Sequence, residues 1–158
     1  TNVNSHILLL KEDDSTESPT IDEGTLSINM GSMFLNAGRM YIPFGNFESH
    51  MISDPLTLEI AETQEAAIEF GYEANGFRAS VYAFNGEADK NKADNDVVDD
   101  FGVSITYEMK AGSFELDLGA DYINNMAETD SLQAAVLGAP TVTEHTAGMA
   151  LHAIRTVG

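Results

Sequence analysis

The chain has 158 residues, with 26 Asp and Glu against 7 Lys and Arg, giving a formal charge of -19 at pH 7. That length fits one domain, and the acidity argues against nucleic-acid binding, which needs a basic footprint to release phosphate counterions. Cys is absent, which removes disulfides, thiolate metal sites and Cys nucleophiles together.

No apolar run approaches the roughly 18 to 20 residues of a spanning helix. This excludes a helical membrane protein but not a β-barrel, whose lipid-facing residues come only at alternate positions. The chain opens at Thr1 with no charged and then apolar leader, so it reads as a fragment whose secretory signal was removed or lies upstream.

Taken in chain order, the first predicted element is a strand over about residues 3 to 10, where Ile7-Leu8-Leu9-Leu10 is apolar on both faces. A hairpin follows, with Leu26, Ile28 and Met30 leading through Gly31-Ser32 into residues 34 to 42, whose pattern is less clean. Residues 56 to 62 read as an isolated strand. The stretch 55 to 67 also carries a competing helical signal, because Asp54-Pro55 resembles an N-cap with Pro at the first helical position and Glu62, Gln64, Glu65, Ala66 and Ala67 favour helix.

The next hairpin alternates Ala66, Ile68, Phe70 and Tyr72 against Glu65, Ala67, Glu69, Gly71 and Glu73. It turns at Ala74-Asn75-Gly76 into Phe77, Ala79, Val81 and Ala83. Phe101, Val103, Ile105, Tyr107 and Met109 alternate with polar residues in the third hairpin, and Phe114, Leu116, Leu118, Ala120 and Tyr122 answer them beyond Gly112-Ser113. Leu132 to Leu137 reads as a short helical turn and residues 144 to 154 as a last strand. The expected fold is all-β, an antiparallel up-and-down meander of about nine strands.

Short turns near 31, 75 and 111 alternate with long links: Lys11 to Glu23, Pro43 to Pro55, Asn85 to Asp100 and Asn124 to Glu144. In a meander, alternate connections lie at the same end, so one rim carries tight turns and the other long acidic loops. Outer-membrane barrels show this asymmetry, with short periplasmic turns and long extracellular loops.

Gly38-Arg39-Met40-Tyr41-Ile42-Pro43-Phe44-Gly45-Asn46-Phe47-Glu48, then Met51-Ile52-Ser53-Asp54-Pro55-Leu56-Thr57-Leu58-Glu59, Glu62-Thr63 and Ser80-Val81-Tyr82-Ala83-Phe84-Asn85-Gly86, resembles the LbtU-type siderophore porins of Gram-negative bacteria. The likeness is dense over these segments and elsewhere rests on pattern and loop placement. It implies an outer-membrane barrel in contact with lipid and lipopolysaccharide, and passive uptake of a small solute of ferric-siderophore type. A porin barrel usually has roughly 16 to 18 strands. On this reading residues 1 to 158 are a partial barrel domain without its signal region or its closing strands, ending at Gly158 and lacking a terminal aromatic residue.

If the apolar parity faces lipid, the opposite parity lines a lumen. The candidate pore-lining charges are Glu59, Glu69, Glu108, Glu115, Asp117 and Asp121, with Glu65 and Glu73, against Arg39, Arg78 and Lys110. Such a wall favours cations. Arg39 and Arg78 read either as ligand contacts or as neutralising partners of nearby carboxylates. Tyr41, Phe44, Phe47, Tyr72, Phe77, Tyr82, Phe84, Phe101, Tyr107, Phe114 and Tyr122 lie mostly near strand ends, as an interfacial girdle would require.

The run Asp89-Lys90-Asn91-Lys92-Ala93-Asp94-Asn95-Asp96 does not have EF-hand spacing, so a solvated loop is expected and no metal site is assigned. His6, His50, His145 and His152 stand in no zinc or nucleophile-elbow spacing, and neither catalysis nor a cofactor is expected. Two alternatives stay open: a soluble or surface-exposed all-β binding module, and a general diffusion porin without siderophore preference.

Overall fold

The structure is a computed structural model that describes residues 1–10, 20–45, 61–86, 98–129, 132 and 146–157. Within them the chain forms eight strands: β1 (Asn2–Leu10), β2 (Thr20–Met30), β3 (Met33–Tyr41), β4 (Gln64–Ala74), β5 (Phe77–Phe84), β6 (Asp100–Ala111), β7 (Phe114–Ile123) and β8 (Gly148–Val157). They make one antiparallel sheet in sequence order, with β1 and β8 at its two edges. The meander is as expected. The sheet is open, and the described strands number eight where about nine were expected.

Each short connection is a two-residue turn dictated by its residues. Ala74 pairs with Phe77, and between them Asn75 (φ 53°) and Gly76 (φ 80°) both take the left-handed conformation of a type I′ hairpin, which matches the right-handed twist of the strands. Met30 pairs with Met33 around Gly31-Ser32, and Ala111 with Phe114 around Gly112-Ser113. These three turns share one end of the sheet, and the four long connections share the other.

Three boundaries differ from the sequence reading. The helical alternative for 55 to 67 fails over its last residues: Gln64 to Ala67 pair with Tyr41 to Gly38, and that ladder overrides the helix preference of Gln, Glu and Ala. Residues 61 to 63 are not strand, and residues 56 to 60 of the isolated strand expected there lie outside the described residues. β2 begins at Thr20, inside the link placed at Lys11 to Glu23. A bulge explains this: Leu8 pairs with Glu23 but Leu9 with Ile21, so Asp22 is extra and Ile21 stays on the apolar face out of step with its sequence parity. β8 runs on to Val157 because its ladder follows β7 down to Phe114. The helical turn at 132 to 137 falls outside the described residues apart from Leu132.

The ladders place every strand residue on one of two faces. The outer face carries Leu26, Ile28, Leu35, Ile68, Phe70, Val81, Val103, Ile105, Leu118 and Leu151 and is apolar along the sheet. Most of its large side chains are exposed, with Ile68 at 49%, Val81 at 54% and Leu151 at 78%. The inner face carries Asn36, Glu69, Ser80, Ser104 and Asp121, and most of these are buried. Polar inside and apolar outside is the inverse of a water-soluble fold.

Among the described residues, the apolar core lies at the long-loop end of the inner face. After β3 the chain folds over it: Ile42 N donates to Thr63 O at 3.0 Å, and Gly45 N donates to Asp121 Oδ2 of β7 at 3.0 Å. Ile42 and Phe44 thereby pack against Met40, Ala67, Tyr82, Phe84 and Ile123. A 3-10 turn at Met126–Glu128, capped by the Asn125 side chain accepting from Ala127 N, adds Met126 to this cluster.

Candidate functional site

The inner face from β3 to β8 holds most of the charge. Close to the Asn75-Gly76 turn, Arg78 of β5 reaches two carboxylates of β4, with Nη2 donating to Glu69 Oε1 at 3.0 Å and Nη1 to Glu73 Oε2 at 2.8 Å. Glu69 is almost fully buried and also accepts from Asn36 Nδ2 at 2.7 Å, so three strands meet on one side chain. The guanidinium lies 3.9 Å above the centroid of the Phe34 ring. Phe34 lies over Gly71, where any Cβ would collide with its ring; the lack of a side chain there lets the aromatic ring lie flat along the strands. Tyr82 uses Gly102 in the same way and donates its hydroxyl to Tyr122 O at 3.1 Å.

At the same rim, beside the Gly112-Ser113 turn, Lys110 bridges Glu108 at 2.6 Å and Glu115 at 3.0 Å. His152 Nε2 lies 3.4 Å from Asp117 Oδ1 on the neighbouring strand. Arg78 and Lys110 are thus each held between two acids. Each of these two clusters leaves one carboxylate charge uncompensated. The acidic excess of the sequence therefore survives pairing.

Of the candidate pore-lining residues, Glu69, Arg78, Glu108, Lys110, Glu115, Asp117 and Asp121 share the inner face, together with Glu65 and Glu73. Arg39 does not. It pairs with Ala66 and Gly24 on the outer face, at the long-loop rim, and donates from Nε and Nη2 to Gln64 Oε1 at 3.2 and 2.9 Å. Gln64 in turn donates to Asp22 Oδ1 at 3.2 Å. The register of β3 decides this, and its mixed apolar pattern conceals it in the sequence, because Phe34 and Met40 fill the inner side. Glu59 lies outside the described residues.

The aromatic set also divides. Tyr41, Phe101 and Tyr122 stand on the outer face towards the long-loop rim, with the last two rings 6.3 Å apart, and Phe77, Tyr107 and Phe114 stand towards the turn rim. Tyr82 and Phe84 point inwards and are buried, and Phe44 packs with them, so these three belong to the inner core and not to a girdle. Phe47 is outside the described residues.

Sequence reasoning missed a polar knot at the end of the sheet opposite the tight turns. Asn124 donates to Asp100 Oδ1 at 3.0 Å, and Asn125 Nδ2 donates to Glu128 Oε1 at 2.9 Å, with Asp100, Asn125, Glu128 and Thr129 all buried. Nothing local marks these residues, which lie in a stretch that reads as loop. Among the described residues no group of three or more His, Asp or Glu is placed to hold a metal ion, and the acidic run at 89 to 96 lies outside them.

Comparison with known proteins adds relatives without an assigned activity. The chain is similar to a UPF0422 protein of Coxiella burnetii, 32% identical over 98 residues that cover 60% of the chain and 21% of the relative. It is also similar to a UPF0422 protein of Legionella pneumophila strain Lens, 24% identical over 133 residues, 73% of the chain and 24% of the relative. A UPF0422 protein of strain Paris is 24% identical over 130 residues. The chain spans between a fifth and a quarter of the length of these relatives. No protein-family model and no solved structure matches it.

Proposed function

We propose that the chain forms part of an outer-membrane β-barrel channel of a Gram-negative bacterium and that its inner face lines a passive path for a small polar solute. The observation that carries this reading is the inversion of the faces: an apolar outer surface along eight strands, set against a polar and charged inner one. A contiguous exposed apolar surface along the whole sheet supports an apolar surrounding, because monomeric soluble proteins rarely expose more than a few hundred Å².

The dimensions agree. Strands of 8 to 12 residues, at about 3.3 Å per residue and tilted about 45°, cover an apolar band close to the roughly 25 Å of outer-membrane barrels. The polar outer-face residues Arg39, Gln64 and Arg155 lie near the rims, the first two at the long-loop end and Arg155 opposite Leu116 near the turns. Aromatic side chains stand at both rims.

The cargo reading is a ferric siderophore, and it stands on the sequence resemblance at residues 38 to 86. The inner wall, with its surplus of carboxylates, supports preference for cations over anions of the same size. The test is extraction and electrophysiology. The purified protein should need detergent, run faster on gels before heating than after, and open cation-preferring steps in planar bilayers. A monomer that stays soluble without detergent and shows no conductance would refute the proposal.

A further inference from the structure

Beyond β4 the charge on the inner face is confined to the long-loop half, where Glu23 of β2 lies 3.8 Å from His6 of β1. Otherwise β1 to β3 present Asn2, Asn4, Thr25, Ser27, Asn29 and Asn36, which are amides and hydroxyls in place of carboxylates. At the turn end of this neutral sector a cavity of about 390 Å³ opens, lined by Asn4, Ser27, Asn29, Ser32, Glu73 and Arg78 among others. Small-molecule sites occupy roughly 300 to 1,000 Å³. From this cavity, and resting on the reading that the inner face meets the solute, we infer that the protein has a binding station for an uncharged polyhydroxylated solute, of the chemical class of a sugar.

The groups present disfavour charged and apolar solutes in turn. An anion would meet Arg78, but both of its terminal nitrogens are already held by Glu69 and Glu73 in a wall with surplus negative charge. A cation would need a free carboxylate cluster, and the one acid of the cavity, Glu73, is engaged by Arg78. An apolar solute would find no open ring: Phe34 is 5% exposed, with Arg78 stacked on one face and Gly71 close against the ring.

What remains available is neutral. Among the described residues, the side chains of Asn4, Ser27, Asn29 and Ser32 make no hydrogen bond, whereas Asn36 in the same row is spent on Glu69. Each Asn offers two N–H donors and a carbonyl acceptor, and each Ser a hydroxyl that does both, which is the complement of a hydroxyl-rich solute.

Geometry supports the match. The ladder sets Asn4, Ser27 and Asn36 side by side across β1, β2 and β3, and Asn2, Asn29 and Phe34 in the next inward-facing row. Neighbouring groups in a row are about 4.8 Å apart, a spacing that lets one small ring receive bonds from two strands at once. Alternating donors and acceptors at this spacing offer a mobile solute successive equivalent partners, so it binds weakly enough to leave.

The test uses two readouts on the purified protein: saturation-transfer NMR with maltose in detergent micelles, and block of ion current by maltose in planar bilayers, with gluconate as the charged comparison in both. Maltose is expected to bind and to interrupt the current, and gluconate to do neither. The double variant Asn4→Ala/Asn29→Ala should weaken maltose about ten- to thirty-fold, as expected for two lost hydrogen bonds, while Asn29→Ser restores part of the loss. Heat-dependent gel mobility reports that each variant is folded.

Conductance without maltose binding overturns the station and leaves the channel reading standing. Maltose binding in micelles without conductance does the reverse. Binding that the double variant leaves unchanged, or gluconate binding tighter than maltose, also overturns the station.

Discussion

A lysine placed at the middle of the outer face should cost far more than one placed at its rim. Ile68 sits near the centre of β4, flanked on the outer face by Ala37 and Ala83, and is 49% exposed. In water, Ile68→Lys would forfeit at most the buried half of an Ile side chain, about 1 kcal/mol. In a bilayer the same change puts an ammonium group near the midplane, where Lys costs about 2–4 kcal/mol. At about 3 kcal/mol the folding equilibrium constant falls by a little over two decades. Tyr41→Lys, at the long-loop rim of the same face, should cost about 0–1 kcal/mol in lipid.

The assay is denaturant unfolding of the protein reconstituted in lipid vesicles, with the folded fraction read by gel mobility without heating. Comparing the two variants cancels most differences in the unfolded state. Equal costs at Ile68 and Tyr41, or a cost near 1 kcal/mol at Ile68, would refute the lipid-facing assignment of the outer face. Val81→Lys on β5, 54% exposed, repeats the test on a neighbouring strand and should behave like Ile68→Lys.

Three further outcomes follow from the inner face and the turns. Arg78→Met should destabilise by about 1–3 kcal/mol in the same unfolding assay, because it strands the buried Glu69 carboxylate, although the 38% exposure of Arg78 keeps the loss below that of a fully buried pair; Glu73→Gln, at the exposed end of the cluster, should change stability by no more than about 0.5 kcal/mol. Replacing Glu69 and Asp117 together by Lys should reverse the sign of the reversal potential under a salt gradient in bilayer recordings, and an unchanged sign would place those residues away from the ion path. Gly76→Ala should cost about 1–2 kcal/mol, since the turn holds this residue at φ 80° and its Cβ would strike the Glu108 carbonyl; unaltered refolding yield and stability would mean the turn conformation is not required.

How much was legible varies by strand, for a physical reason. β4 to β7 could be read almost residue by residue, because their apolar and polar side chains alternate strictly between the two faces, and a two-residue turn leaves the register no freedom. β3 resisted because its inner positions are filled by Phe34 and Met40 as well as by Asn36 and Gly38, so period two carries no contrast there. The edge strand β1 was found, yet its apolar run over both parities could not tell which residues face inwards; the ladder to β2 and the bulge at Asp22 supply that. The inner acids of β4, β6 and β7 were read correctly as sharing one face, whereas the Asn and Ser of β1 and β2 were passed over, because neutral residues at alternate positions look like ordinary strand surface until the register aligns them.

The sequence alone determined an all-β antiparallel meander, the alternation of tight turns with long acidic loops, and the split of charge from hydrocarbon along each well-patterned strand. These are local properties: side-chain period and turn chemistry act over two to ten residues and need no partner to be read. The tertiary structure decided that Arg39 lies outside and Arg78 inside, that Ile42 to Gly45 fold across the sheet to reach Asp121, and that Asn124 bonds to Asp100 of β6. Each of these depends on strands brought together from distant parts of the chain, where pairing register and the reach of one side chain over a neighbouring glycine set the outcome, and neither is written in any short stretch of residues.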